Sequence, residues 1–355
     1  MKRILCLIDS LVAGGAQRQL VGLAVLLQKN GYLVKVVAYH DFPFYSSYLE
    51  ENRVDYEIVH CGKNLISRLT KIGKSIKCYS PDVVISYLDT PNIISCIVKA
   101  FRFKWKLIVS ERNTTQVITF RDRLKFFMYR FADCIIANSY SQNNFISANY
   151  PQYKNKCEVI TNYVDTVLFS PAKHRSNESI RIIGVGRISH QKNIPILIEA
   201  LKVVRGKGFD ARVDWYGNPF DSFNECLTLI NKYGLRDAFE FHEPFNPIVE
   251  KYQESDIFVL PSFYEGFPNV LCEAMSSGLI SIASDVCDNR RIINDGVNGL
   301  LFQSNNVDDL INCLLRVFSF TNEQRESMTK LCRDYAIESF SEDTFIKKYI
   351  DLIER

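Results

Sequence analysis

"DIFVLPSFYEGFPNVLCEAMSSGLISIAS", residues 256–284, reads as a strand, a loop, a helix and a second strand. "DIFVLPS" and "LISIAS" are short aliphatic runs of the kind that build strands buried on both faces. Between them "PNVLCEAMSSG" has helical spacing, a proline near its start and a glycine at its end. Two strands joined through a helix form a parallel pair, and sheets of such pairs bind ligands beyond the carboxyl ends of their strands. The loop around Glu265 is therefore where chemistry is expected.

The same alternation extends in both directions. "IRIIGVGR", "ARVDWYG" and "AFEFHE" precede this stretch, while "RILCLID", "LVKVVAY", "DVVISYL", "KLIVSE", "CIIANS" and "CEVITN" fill the first half, with helix-length segments between them. A chain of 355 residues exceeds one ordinary core and suits two domains. The polar, proline-containing stretch 170–179 is the expected linker. The predicted fold is α/β: two Rossmann-like, doubly wound parallel-sheet domains facing each other across a cleft. The first spans 1–170 and the second 171–335, with a helix in 336–355 packing back on the first domain.

Composition narrows the class. Hydrophobic residues make up 47% and charged residues 23%, as in soluble globular proteins. The eleven cysteines form no CxxC pair, so neither a zinc site nor a dithiol centre is indicated, and their scatter through apolar runs fits a reducing cytoplasm. The start, "MKRILCLIDSLVAGGA", has the basic pair and apolar run of a signal peptide. Asp9 interrupts that run, however, and an amphipathic segment closed by Gly31 follows, so a strand, a Gly-Gly turn and a helix explain it better. The long uncharged stretch 134–153 is crowded with Ser, Asn and Gln and cannot sit in lipid.

Charge is uneven. Residues 1–174 hold 23 Lys and Arg against 13 Asp and Glu, and the remainder 20 against 27. Part of the basic excess lies in "KAFRFKWK" (99–106) and "ITFRDRLKFFMYRF" (118–131). The second segment forms a helix that is either a membrane-surface element or a core-facing helix with a solvated basic rim. No nucleic-acid recognition motif accompanies the charge.

Glu265 and Glu273 invite comparison with paired catalytic carboxylates. The spacing puts Glu273 about two turns along the helix, a rise of roughly 11 Å, whereas a retaining glycosidase pair needs about 5–5.5 Å. They suit instead a long polar ligand touched at two places. The N–H groups of Gly266, Phe267 and Asn269 offer an anion site at the helix start, where Pro268 removes a donor but presets helical φ.

"YEGFPNVLCEAM" resembles the E-x7-E signature of the retaining glycosyltransferases of family 4, which have the GT-B fold. "GGAQRQL" (14–20), "ANSYSQNNF" (137–145), "ITNYVDTVLFSP" (160–171), "GVGRISHQKN" (184–193) and "INDGVNGLLF" (293–302) resemble other segments of that family, in family order. The resemblance implies that Arg187 and Lys192 neutralise the donor diphosphate, which suits the physical need for cations where charge develops. It implies that Glu273 accepts from ribose hydroxyls, that Glu265 accepts from the donor sugar beside the N–H groups of Gly266 and Phe267, and that Gly15 lets the backbone approach the donor phosphate. No D-x-D triplet occurs, so neither a metal nor another cofactor is expected.

The acceptor side departs from the family. Many members carry a His in a loop of the first domain where this chain has "SERNTT" (110–115). Glu111, Arg112 and Asn113 are the acceptor-side candidates, with Glu111 either orienting or deprotonating the acceptor or forming a structural pair with Arg112. The resemblance implies a metal-independent, retaining hexosyl transfer without an enzyme nucleophile. Its donor would be a UDP-linked hexose or N-acetylhexosamine, and its acceptor a glycan or polyprenyl-diphosphate-linked glycan, for cell-surface polysaccharide. The place of work is then the cytoplasm, peripheral on the cytoplasmic face of the inner membrane. The alternatives are a nucleotide-sugar epimerase or hydrolase, which would need acid and base groups around the sugar, and a non-catalytic nucleotide-sugar-binding protein. "GVGRIS" alone is a weak dinucleotide signal without its third glycine.

Overall fold

The computed structural model describes every residue except 63, 102, 103, 113, 114, 116, 117, 172–178 and 246. The expected linker at 170–179 therefore lies mostly outside the described residues, as does Asn113. The chain forms two compact units: Met1–Asn162 with Phe345–Arg355, and Tyr163–Thr344.

Unit 1 is built on seven parallel strands: β1 (Arg3–Leu7), β2 (Leu33–Ala38), β3 (Asp55–Ile58), β4 (Val83–Tyr87), β5 (Lys106–Glu111), β6 (Cys134–Ala137) and β7 (Cys157–Val159). Their order is β3-β2-β1-β4-β5-β6-β7. The sequence "RILCL" is thus an inner strand flanked by β2 and β4. Val83–Tyr87 and Cys134–Ala137 are buried along their whole length, as their largely apolar sequences foretold. Strand order reverses between β1 and β4. Leu88, directly after β4, has φ +75 and ψ 157, a region nearly confined to glycine and costly for a branched side chain. The last helix, Glu342–Glu354, contributes Tyr349, whose hydroxyl meets that of Tyr87 at 2.6 Å in the interior. Lys2 and Lys106 donate to its final carbonyls, Ile353 and Leu352, at 2.9 and 2.5 Å, completing a C-terminus whose carbonyls lack helical partners.

Unit 2 has six parallel strands: β8 (Ile180–Val185), β9 (Ala211–Tyr216), β10 (Phe239–His242), β11 (Ile257–Leu260), β12 (Ile280–Ser284) and β13 (Leu300–Phe302), in the order β10-β9-β8-β11-β12-β13. It is the same doubly wound plan. The order reverses between β8 and β11, so ligand chemistry belongs at the loops following these two strands.

Candidate active site

In unit 2 a tryptophan shapes the segment "GVGR". Trp215 on β9 is fully buried, and a Cβ at Gly184 would stand 2.2 Å from its ring, so only glycine fits beneath it. The indole N–H donates to the Gly186 carbonyl at 2.8 Å. Gly186 has φ +145, and a Cβ there would lie 2.8 Å from Lys192 Cε. The second glycine therefore gives the lysine side chain its path. The two glycines serve packing and lysine placement, which accounts for a GxG that lacks the rest of a dinucleotide fingerprint. His190–Lys192 is a single 3-10 turn, and Asn193 at φ +48 redirects the chain into the helix Ile194–Gly206.

Lys192 Nζ lies 2.6 Å from Glu265 Oε1, with the two side chains 14% and 8% exposed. Ser262 donates its hydroxyl to the same oxygen at 2.6 Å. Ser284 donates to the Ser262 carbonyl at 2.6 Å, and the Glu265 N–H points at Cys287 Sγ at 3.5 Å. Segments following β8 and β11 thus meet at the Glu265 carboxylate, and the segment following β12 holds its backbone. Taking two charges out of water is costly, and such a pair persists only with good geometry and further hydrogen bonds. An ammonium has three N–H donors; among the described residues Glu265 takes one, and the others remain to be offered to a ligand. Arg187 is exposed, its guanidinium carbon 5.2 Å from the Phe220 ring centroid, a cation–π contact worth about 0.5–1 kcal/mol.

Glu273 stands little more than one turn into the helix Asn269–Ser276, not two turns as its spacing suggested. It is buried, and the fully buried Tyr252 donates its hydroxyl to Glu273 Oε2 at 3.4 Å. Pro268 is the residue capping this helix, with ψ 76, rather than its first helical member. The Asn269 N–H is spent on the Phe267 carbonyl at 3.0 Å, so it drops out of the expected anion site. The N–H groups of Gly266 and Phe267 have no acceptor among the described residues. The Phe267 ring packs edge-on against Phe340 at 5.6 Å, so only its backbone can serve a ligand. Ser262, Tyr252 and Cys287 were not anticipated: nothing in their local sequence marks a serine, tyrosine or cysteine as a partner of Glu265 or Glu273.

Gly186→Ala follows as a focused test. The added methyl collides with the lysine stem and strains a backbone region that side chains rarely enter. A loss of nucleotide-sugar affinity of about tenfold, near 1.4 kcal/mol, is expected in calorimetry with the circular dichroism spectrum kept. Unchanged affinity would show that Lys192 does not need this path.

In unit 1 the carboxylate of Glu111, at the end of β5, is closed to solvent. Its Oε2 lies 2.7 Å from Lys125 Nζ, Tyr129 donates to Oε1, and Gln142 Nε2 lies 3.4 Å away. Lys125 also reaches Asp89 at 3.1 Å and Asp122 at 3.7 Å. Burial pushes the Glu111 carboxyl above the usual carboxylate range, against the pull of Lys125. Burial works to lower Lys125, but Glu111 and Asp89 hold it above the ordinary lysine value. The structural partner of Glu111 is thus Lys125, not Arg112, and a carboxylate so enclosed is poorly placed to meet an acceptor hydroxyl. Arg112 lies with its guanidinium carbon 3.7 Å from the Tyr87 ring centroid and donates to Asn162 Oδ1 at 2.6 Å. Gly15 is exposed at the first position of the helix Gly15–Lys29, in the loop region after β1.

One group of metal-capable side chains occurs among the described residues: Asp214, Glu240 and His242. The imidazole presents Nε2 to Asp214 at 2.7 Å and Nδ1 to Glu240 at 3.9 Å. A shared ion would take one ring nitrogen, whereas here each nitrogen faces its own carboxylate.

Two protein families match the chain. The one described as Glycosyltransferase Family 4 matches residues 13–168, and Glycosyl transferases group 1 matches 179–319. The amylovoran biosynthesis glycosyltransferase AmsD of Erwinia amylovora is 25% identical, covering 99% of this chain and 100% of its own. The GalNAc-alpha-(1->4)-GalNAc-alpha-(1->3)-diNAcBac-PP-undecaprenol alpha-1,4-N-acetyl-D-galactosaminyltransferase of Campylobacter jejuni is 24% identical, covering 97% of each chain. Among solved structures, Anabaena HepE in complex with UDP and glucose superposes with a TM-score of 0.84 at 18% identity, covering 100% of both chains.

Proposed function

Because this chain belongs to the family 4 glycosyltransferases, we propose that it moves a hexose or N-acetylhexosamine from a UDP-linked donor to a lipid-linked glycan in cell-surface polysaccharide synthesis, with retention and without a metal. The observation that carries this reading is the Lys192–Glu265 pair at the switch point of unit 2. A fixed ammonium beside a hydroxyl-accepting carboxylate suits a ligand with diphosphate at one end and sugar at the other. Arg187 and Lys192 take the charge that grows on the departing diphosphate. Glu265 and the N–H groups of Gly266 and Phe267 hold the hexose, and Glu273 holds the ribose. With Glu111 enclosed, the acceptor proton goes to the leaving phosphate oxygen, and Glu111 serves to position the loop that follows it. The HepE complex with UDP and glucose supports the choice of nucleotide, and the undecaprenol-linked substrate in the Campylobacter enzyme's name supports the choice of acceptor. Turnover with a UDP-hexose panel and a lipid-linked acceptor, run in EDTA and read by proton NMR, tests it. An α-linked product from an α-linked donor is expected; an inverted product, or activity lost to the chelator and restored by metal, would sink the retaining or metal-free part.

The membrane enters through the helix Phe120–Met128. Phe126 faces the core, while Phe120, Leu124 and Phe127 are exposed, Phe120 to 84%. Arg121, Arg123 and Arg130 are also exposed. Lys125, which the sequence grouped with these cations, is buried against Glu111 and takes no part. No helix among the described residues is long and apolar enough to cross a membrane. The apolar stripe and its arginines suit the headgroup boundary of an anionic bilayer on the cytoplasmic side, where each cation adds roughly 1 kcal/mol of attraction. Sedimentation with anionic liposomes at low salt and release at high salt are expected, and Phe120→Ser with Phe127→Ser should abolish it. Equal sedimentation by wild type and this variant would make the stripe an ordinary wet surface.

A further inference from the structure

The two cations of unit 2 are held in different ways. Lys192 is anchored by a carboxylate, whereas the side chain of the exposed Arg187 makes no ion pair or hydrogen bond among the described residues. Its partner is the ring of Phe220, which the guanidinium carbon overlies 5.2 Å from the centroid. Phe220 lies in the loop between β9 and the helix Phe223–Tyr233. It is 57% exposed and packs on no other ring among the described residues. Backbone pairing fixes where these two side chains meet. β8 and β9 run in parallel register as far as Val185 and Tyr216, and the pairing continues past the sheet. Gly186 donates its N–H to the Tyr216 carbonyl at 2.9 Å, Ile188 to Asn218 at 2.9 Å, and Phe220 to Ile188 at 3.1 Å. The buried Ile188 also forms an isolated parallel bridge with Pro219. One residue further on, Asp221 Oδ1 accepts the His190 N–H at 2.7 Å. Moving the loop away from Arg187 means breaking these bonds.

An exposed arginine has many rotamers, and fixing it when a ligand binds costs affinity. An aromatic face lowers that cost without spending what the ligand needs. A carboxylate would take N–H donors and offset the charge, whereas a ring attracts the cation through its π face and leaves the fork of donors open. We propose that Phe220 is a positioning residue for Arg187, holding the guanidinium ready for the donor diphosphate. This rests on the donor reading given above and adds a residue that acts through Arg187 rather than on the ligand. The loop after β9 is then part of the donor site, although it supplies no group that touches the nucleotide sugar.

Calorimetric titration of the full chain with UDP, in Phe220 and Arg187 variants and their combination, tests this. Phe220→Leu, which keeps an apolar side chain but loses the π face, should weaken UDP about fivefold. Phe220→Trp, which offers the better π face, should bind UDP within about twofold of wild type or more tightly. In an Arg187→Ala background, Phe220→Leu should change UDP affinity by less than about twofold, because the ring then has no cation to hold. Both Phe220 variants should keep the circular dichroism spectrum, since the ring is exposed. Wild-type UDP affinity in Phe220→Leu, or an equal loss in both backgrounds, would overturn the proposal and leave the donor reading standing. Equal losses would mean that the ring meets the ligand itself or only shapes the loop. No binding of UDP by the wild-type chain, or wild-type affinity in Arg187→Ala, would instead strike the donor reading and the holding role with it.

Discussion

Lys192→Ala is expected to lower turnover by about 100- to 1000-fold, the usual consequence of removing one fixed donor from a developing oxyanion charge, or about 2.7–4 kcal/mol. The variant does a second thing as well, because Lys192 is the cation that compensates the buried Glu265 at 2.6 Å. Leaving that carboxylate without its cation destabilises unit 2, so lost activity alone would be ambiguous. Adding Glu265→Gln removes the buried charge and should recover most of the melting temperature. It should not recover turnover, since the missing cation at the diphosphate is not replaced. A single variant retaining more than a tenth of wild-type turnover, or a double variant recovering activity with stability, would show that Lys192 acts through folding and not on the donor.

Lys125→Met should produce the largest loss of stability, about 3–5 kcal/mol at neutral pH, because it strands Glu111 in the interior of unit 1. Its pH dependence follows from the direction of the shifts. A carboxyl held above its ordinary range is penalised in its charged form, so its contribution to stability falls as pH rises from that range through the raised value. In the wild type Lys125 offsets this, and being raised itself it contributes until pH exceeds its own raised value. Without the lysine the offset is gone. The gap between wild type and variant in thermal unfolding should therefore widen from pH 5 to pH 8. A gap that is constant or narrows would mean that Glu111 is not the group under strain.

The strands were legible wherever both faces are buried, as in "VVISY" and "IFVL". Two were not read: Asp55–Ile58, an edge strand carrying two acids and no fully buried residue, and Leu300–Phe302, only three residues long. Hydrophobic pattern carries no signal for either. Lys192, Glu265 and Glu273 were legible as candidate residues, and what escaped was the company they keep. Ser262 and Tyr252 meet them through packing, and Glu111 meets Lys125 fourteen residues later in the chain. Helical spacing placed Lys125 among solvated charges, because period alone cannot tell a buried cation from an exposed one when its partner lies on another element. The sequence left the same helix either at a membrane surface or against the core, and the structure divides its aromatic residues, with Phe126 buried and Phe120 and Phe127 exposed.

The central claim is that unit 2 holds a nucleotide sugar through Arg187, Lys192 and Glu265. Saturation-transfer NMR of the full chain against UDP-linked hexoses, in EDTA, reads base, ribose and sugar contacts together. The prediction is transfer to uracil, ribose and hexose protons for at least one donor, abolished when Arg187 and Lys192 are both changed to alanine. No transfer from any nucleotide sugar, or transfer undiminished in that double variant, would contradict it.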